Sequence, residues 1–571
     1  MCFHYGDSVN FSATLKQGTT TGYFLSRGGG LWCIAALFIA VCVSIPVLVV
    51  TSSVFVPTGE VWDHLAATVL PRYMTNSALL LVGVGIGTFI VGVGTAWLVT
   101  MYQFPGRALF EWALILPFAV PAYVLAYTYT GIFEFAGPVQ TMMRDAFDWS
   151  RHDYWFPAVR SLSGAMWMMT FVLYPYVYLL SRAAFIEQSF CVFEVSRTLG
   201  CTRLKSFFSV KLPLARPAIV AGMTFALIET LNDFGTVEYF AVDTLTTGIF
   251  RTWIGLGQPV VAAQLAAVLM SFVFAVVLLE RWTRGHSKVH HTSTRYRTLP
   301  RFRLPVAMAL GASLMCFLPI FFGFLLPGSA LIVWSIETAE EMLNADFFTY
   351  AFNSFLLASV TAALAVLIGL FLAYGQRLKP GFVMAASTKI ASLGYAIPGA
   401  VIAVGVLIVY TTVDRTIDGW FREVFGISTG LILTGTVAGV VIAYLVRFLA
   451  ISLSTAEAGL AKITPNMDAA ARTLGHAPGT VLRRVHAPLM WGSVLTAAML
   501  VFVDVMKELP ATMILRPFNF DTLAIRAYQL ASDERLADSS NSALAIVLVG
   551  IIPVIALSVA IARSRAGHVH D

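Results

Sequence analysis

Charge is what this chain most conspicuously lacks. Asp, Glu, Lys and Arg make up 12% of its 571 residues, against about 25% in an average soluble domain. Hydrophobic residues reach 58% and mean hydropathy is +0.78. A water-soluble fold of this composition would expose far more apolar surface than solvent tolerates, which excludes soluble enzymes, disordered scaffolds and secreted disulfide modules. Cysteine is also scarce. Of six, Cys33, Cys42 and Cys316 sit in apolar runs, Cys2 is the second residue, and Cys191 and Cys201 share one loop. With no Cys-x-x-Cys pair, reduced structural thiols are expected. Gly is never followed by Lys, so there is no Gly-x-x-x-x-Gly-Lys-Ser/Thr loop to cradle a nucleotide phosphate. The chain is therefore expected to bind no cofactor and to contain no ATPase site. The formal charge of +6 does not point to nucleic acid, because the basic residues cluster in short loops between apolar runs. Lipid is the expected surrounding.

What is present is a series of apolar runs long enough to span a bilayer, which takes about 20 residues each. Twelve helices are predicted, starting near Leu31, Ser77, Ala108, Ala158, Pro217 and Ala262, then Leu304, Ala351, Phe382, Ile427, Trp491 and Asn541. The fold class is an all-α polytopic membrane protein. The first run, Leu31 to Val50, is too long for a signal-peptide core and reads as a retained helix. Between helices six and seven, Glu280 to Arg303 carries Arg281, Arg284, Lys288, Arg295, Arg297, Arg301 and Arg303 against the single acid Glu280. The following loop, Pro327 to Tyr350, carries Glu337, Glu340, Glu341 and Asp346 with no Lys or Arg. Basic loops stay cytoplasmic, so the linker and both termini are placed inside. His286, His290 and His291 fall in that linker. A metal site needs more ligands and an ordered scaffold, so a solvated connector is expected.

The sequence repeats itself. Arg197-Thr-Leu-Gly200 recurs as Arg472-Thr-Leu-Gly475, offset by 275, and a proline follows each glycine after 13 residues, Pro213 and Pro488. Asn76-Ser77 matches Asn353-Ser354 and Pro121 matches Pro398 at 277, and Asp243-Thr-Leu245 matches Asp521-Thr-Leu523 at 278. The pattern predicts two tandem six-helix halves, related by a pseudo-two-fold along the membrane normal because each starts inside and has an even number of spans. The expected parts are a cytoplasmic segment 1–30, a first half 31–281, a basic linker 282–303, a second half 304–562 and a cytoplasmic tail 563–571.

Both Arg-Thr-Leu-Gly copies lie in long cytoplasmic loops between helices four and five of their halves. One runs from Glu194 through Arg197, Gly200 and Arg203 to Pro213; the other from Asp468 through Arg472, Gly475 and Arg483 to Pro488. The expected pattern is a helix, a glycine break, a short amphipathic helix and a proline-terminated return into the membrane. This pattern resembles the EAA loop of permease subunits of binding-protein-dependent ABC importers. In that family the loop supplies a coupling helix to a separate ATPase subunit. The resemblance implies a periplasmic substrate-binding protein, two ATPase copies carrying ATP and Mg, and a bacterial inner-membrane location. Ala469 stands where the second copy should be acidic, with Asp468 one place earlier, so that loop is expected to dock less tightly or in a shifted register.

Charges inside a spanning helix are expensive and usually functional. Glu229 and Asp233 in predicted helix five recur as Asp504 and Glu508 in helix eleven, at an offset of 275. Spacing of i,i+4 would put each pair on one helix face, and the repeat would turn both faces toward a shared pathway. Four carboxylates suit a hard cation. Lys507 leaves a second reading open, a salt bridge that only pins helices. The stretches from Glu229 to Ile254 and from Lys507 to Leu523 resemble the fused permeases of ferric-iron importers, which implies Fe(III) as cargo. Related fused permeases serve thiamine, aminoethylphosphonate and other small solutes. An ion-coupled secondary transporter is the competing class, but it has no need for twin long cytoplasmic loops.

Overall fold

A computed structural model describes residues 29–187, 202–284 and 302–563, apart from 462, 465, 468, 469, 471, 472 and 474–477. Among them are eleven helices long and apolar enough to cross a membrane, or twelve spans when a bent pair is counted as one. The first half contains α1 (Gly29–Ser52), α2 (Leu70–Met101), α3 (Arg107–Ala113), α4 (Ala122–Phe133), α5 (Pro138–Phe147), α6 (Leu162–Glu187), α7 (Leu212–Asn232), α8 (Gly235–Tyr239), α9 (Leu245–Phe250) and α10 (Pro259–Arg284). The second contains α11 (Val306–Ile320), α12 (Leu326–Glu337), α13 (Ala345–Leu378), α14 (Phe382–Ala391), α15 (Gly399–Phe425), α16 (Val437–Ala461), α17 (Ala487–Met506), α18 (Pro510–Leu515), α19 (Leu523–Ser532) and α20 (Leu536–Arg563). Two short strands, β1 (Tyr102–Gln103) and β2 (Phe302–Arg303), pair in parallel and tie the end of the linker to the loop after α2.

The opening helix of each half leaves its own half and packs on the other. Helix α1 lies against α14 and α15, so close that a Cβ on Gly405 would come within 2.4 Å of the Pro46 carbonyl oxygen. Reciprocally, the turn joining α11 to α12 crosses α6, where a Cβ on Gly323 would come within 2.7 Å of the Phe171 carbonyl oxygen. Tyr129 of α4 donates to the Phe322 carbonyl at 2.6 Å. Small residues at such crossings let backbones approach where the lipid supplies no hydrophobic drive.

The repeated sequence motifs are two sides of one joint, built twice. Asn76 donates to the Asp243 carbonyl at 2.8 Å, and Asn353 to that of Asp521 at 3.0 Å. Ser77 Oγ accepts from Leu245 N at 3.1 Å, and Ser354 Oγ from Leu523 N at 2.8 Å. Thr244 and Thr522 cap α9 and α19. A backbone turn buried among helices needs its polar groups satisfied, and these side chains satisfy them in both halves.

Several predicted boundaries move. The third span is broken: α3 and a 3-10 turn meet α4 and α5 at 93°, with Pro121 at the break. The ninth is also preceded by a break, α14 stopping before Pro398 and α15 starting after it. The tenth begins at Val437 and not near Ile427. Gly426, Gly430 and Gly435 hold positive φ there, and the Asp414 carboxylate accepts from the amides of Ile432, Leu433 and Thr434, fixing a loop where the residue types read as helix. The acidic loop expected from Pro327 shrinks, because α12 continues to Glu337 and α13 starts at Ala345. Neither Pro213 nor Pro488 breaks its helix. Each sits in the first turn after a π-helical turn, Phe207–Lys211 or Leu482–His486. Proline can donate no i→i−4 bond and its ring crowds that carbonyl; the widened turn accommodates both, with Leu212 N bonding back to Phe207 O.

Candidate functional site

The four carboxylates singled out from the sequence line one cavity between the halves, with about 110 Å³ of internal space. They do not share helix faces as their spacing suggested. Helix α7 ends at Asn232, and Asp233 leaves it in extended conformation; α17 ends at Met506, two residues before Glu508. The second carboxylate of each pair serves the next short helix. Asp233 accepts from the amides of Thr236 and Val237 at 3.0 and 3.2 Å, and Glu508 from that of Ala511 at 3.1 Å. Glu229 lies in the last turn of α7, and Asp504 near the end of α17.

The cavity walls repeat with the sequence but differ in charge. Glu508 is held by Arg447 of α16 at 2.5 Å, with both side chains almost wholly buried. Asp504 pairs with Lys507 at 2.9 Å, so the pinning salt bridge foreseen for Lys507 exists on that carboxylate. In the first half the position matching Arg447 is Val172 and that matching Lys507 is Asn232. Glu229 is met by the hydroxyl of Tyr395 at 3.3 Å and the amide of Asn232 at 3.4 Å. Among the described residues neither Glu229 nor Asp233 has a salt-bridge partner. Asn232 also accepts from Gly399 N at 2.7 Å, stitching the end of α7 to the start of α15.

Among the described residues no three Asp, Glu, His or Cys side chains converge closely enough to chelate a metal ion. Arg447 and Lys507 line the cavity together with the four carboxylates. Arg447 was missed in the sequence, although it is a lone charge in an otherwise apolar run and the rule that flagged the carboxylates applies to it equally.

Of the coupling-loop residues, Glu194, Arg197, Gly200, Asp468, Arg472 and Gly475 lie outside the described residues, as do His286, His290 and His291. Arg203 starts the helical turn leading to α7. Arg483 is exposed in the second π-turn, and Pro213 and Pro488 are exposed at the starts of α7 and α17.

Comparison with known proteins accounts for this architecture. The Fe(3+)-transport system permease protein FbpB 2 of Haemophilus influenzae is 28% identical over 497 residues, covering 86% of this chain and 90% of that protein. The ferric transport system permease protein FbpB of Actinobacillus pleuropneumoniae is 23% identical over 84% of this chain and 70% of its own length. The sulfate transport system permease protein CysT of Salmonella typhimurium is 29% identical over 40% of this chain and 78% of its own length. One domain type matches twice, at residues 89–282 and 365–566, once in each half. The chain belongs to the family of binding-protein-dependent transport system inner membrane components.

Proposed function

We propose that this multi-pass permease carries Fe(III) inward, delivered by a periplasmic binding protein and driven by ATP hydrolysis on a separate subunit. The carrying observation is the cavity between the halves, where Glu229, Asp233, Asp504 and Glu508 outnumber Arg447 and Lys507. A small, highly charged cation prefers hard oxygen ligands and gains from such a wall. An oxyanion, the cargo named for the sulfate relative, would be repelled by it.

In this reading the halves rock about the cavity, which faces each side of the membrane in turn. The ATPase, in two copies with their ATP and Mg, docks on the cytoplasmic loops carrying Glu194, Arg197, Gly200 and Arg203 and carrying Asp468, Arg472, Gly475 and Arg483. The π-turns before Pro213 and Pro488 join these loops to α7 and α17. Each of those helices ends at a carboxylate pair, so a push on a loop reaches the cavity along one rigid rod. Both termini and the linker face the cytoplasm, as the loop charges require. An impermeant thiol reagent on intact cells should then label a cysteine placed at Glu340 and spare one at Lys288.

Transport by the complete complex in proteoliposomes is the decisive experiment. ATP-dependent accumulation of Fe(III) from the loaded binding protein is expected. Transport of sulfate, molybdate, thiamine or aminoethylphosphonate in its place would overturn the iron reading, and transport driven by an ion gradient without ATP would overturn the importer class.

A further inference from the structure

We propose that the hydroxyls of Tyr123 and Tyr127 form an oxygen-lined step through which the cargo cation reaches the carboxylate cavity. This rests on the cation-import reading. On the membrane face opposite the linker, Arg160 bridges the two halves. Its Nη2 lies 2.9 and 2.8 Å from the carboxylate oxygens of Glu534 in the second half, and its Nε 3.4 Å from Glu134 in the first. Glu534 adopts φ of 60°, a left-handed conformation rarely taken by such a residue. Beneath this bridge runs a column of rings. The Arg160 guanidinium lies 4.8 Å over Tyr239, Tyr239 lies 4.7 Å from Tyr127, and Tyr127 lies 5.8 Å from Tyr123, which lines the cavity with Asp233 and Glu508.

Tyr123 and Tyr127 are 5% and 2% exposed, yet neither hydroxyl has a hydrogen-bond partner among the described residues. Burying an unsatisfied hydroxyl is costly, and phenylalanine would fill the same space without that cost. Other buried tyrosines are satisfied: Tyr129 on the same helix bonds the Phe322 carbonyl, and Tyr174 that of Leu114. The matching positions of the second half are Ala400 and Val404, so the column is not a by-product of the repeat. A neutral phenol oxygen is a hard ligand that can replace one hydration oxygen of a passing cation without holding it as a carboxylate would. Tyr123 and Tyr127 stand one helical turn apart, an ordered pair of such ligands between the Arg160 bridge and Glu229, Asp233 and Glu508.

The test uses the complete transporter in proteoliposomes, with Fe(III)-loaded binding protein, and reads Fe(III) uptake, stimulated ATPase and melting temperature. The double variant Tyr123→Phe, Tyr127→Phe should lower uptake roughly tenfold, leave ATPase stimulation intact, and melt no lower than the parent. Wild-type uptake in the double variant overturns the proposal. So does a marked loss of stability, since the hydroxyls would then be holding the fold. Glu229→Gln, measured alongside, separates the two claims: if it cuts uptake and the tyrosine variant does not, only the tyrosine step fails. If neither cuts uptake, the cation route itself fails.

Discussion

The two halves present the same positions to the cavity and fill them differently. Glu229 matches Asp504 and Asp233 matches Glu508, but Val172 stands opposite Arg447 and Asn232 opposite Lys507. In the second half each carboxylate has its own cation at 2.9 or 2.5 Å. In the first, Glu229 has only neutral partners and Asp233 is turned to backbone amides. A buried carboxylate with a bound guanidinium belongs to the scaffold. Glu229, with an amide and a phenol for neighbours, has no such counter-charge among the described residues. The tyrosine column also belongs to the first half, so the pseudo-two-fold frame carries one side with paired carboxylates and one without.

The comparison breaks most readily at Arg447. Removing one partner of a buried pair leaves an uncompensated charge and typically costs about 3–5 kcal/mol. Arg447→Leu should therefore lower the stability of the purified complex steeply in a thermal melt, through the stranded Glu508. The matching change in the first half, Val172→Leu, alters only packing and should cost about 1–3 kcal/mol at most. Equal shifts in the two variants would mean that the ion pair is not what distinguishes the halves.

A second contrast depends on the same guanidinium. Gly399 opens α15 just after Pro398, and a Cβ there would lie 2.4 Å from Arg447 Nη1 and 2.8 Å from Glu508 Oε1. Its counterpart after Pro121 is Ala122, where Val172 makes no such demand. Gly399→Ala should destabilise by about 1–3 kcal/mol, the usual cost of overpacking a tight site. In an Arg447→Leu background the same change should cost less, because the nearest colliding atom is gone. A double-mutant cycle on melting temperature reads this coupling, and strict additivity would refute it.

The carboxylates sharpen the functional side. Glu229→Gln removes a charge without stranding a cation, so the fold should hold while Fe(III) uptake falls about tenfold, the equivalent of one lost charge-assisted contact. Asp504→Asn frees Lys507, but that pair is partly exposed, at 23% and 18%, and such pairs contribute about 0–1 kcal/mol. Its effect on uptake should be the smaller of the two. Uptake assays paired with ATPase stimulation separate transport defects from failed assembly.

What was legible beforehand follows the same division. The repeat could be read because Asn76, Ser77 and Thr244 are required by type: each satisfies a backbone group that no apolar residue could, while Asp243 ion-pairs with Arg72 and Arg251. The carboxylates stood out as charges in apolar runs, and all four do reach one cavity. Their shared helix face was wrong, and the stop signals were present: Gly235 and Pro510 follow two residues after Asp233 and Glu508, where a helix ending is expected. Arg447 is not marked by the repeat, because its counterpart is a valine. The Arg160–Glu534 bridge joins residues 374 apart, a contact that no local pattern encodes. The loop after Phe425 misled because Ile427, Leu431, Ile432 and Leu433 are apolar, while its conformation is set by glycines and by Asp414 on the preceding helix.

The smallest expected effect probes where the halves should agree. Asn76 and Asn353 each donate one hydrogen bond to an aspartate carbonyl, at 2.8 and 3.0 Å, pinning α9 to α2 and α19 to α13. Deleting either donor leaves a carbonyl unpaired, at a cost near 1 kcal/mol for a typical intramolecular bond and more where water cannot reach. Asn353 is 8% exposed and Asn76 somewhat more open, so Asn353→Ala should destabilise slightly more than Asn76→Ala. The two sites share no partner, so the double variant should equal the sum of the singles to within about 0.5 kcal/mol. A large gap between the singles would mean that the joint supports only one half. A double variant far less stable than the sum would mean that the two joints are coupled across the cavity, and that the halves move as one body.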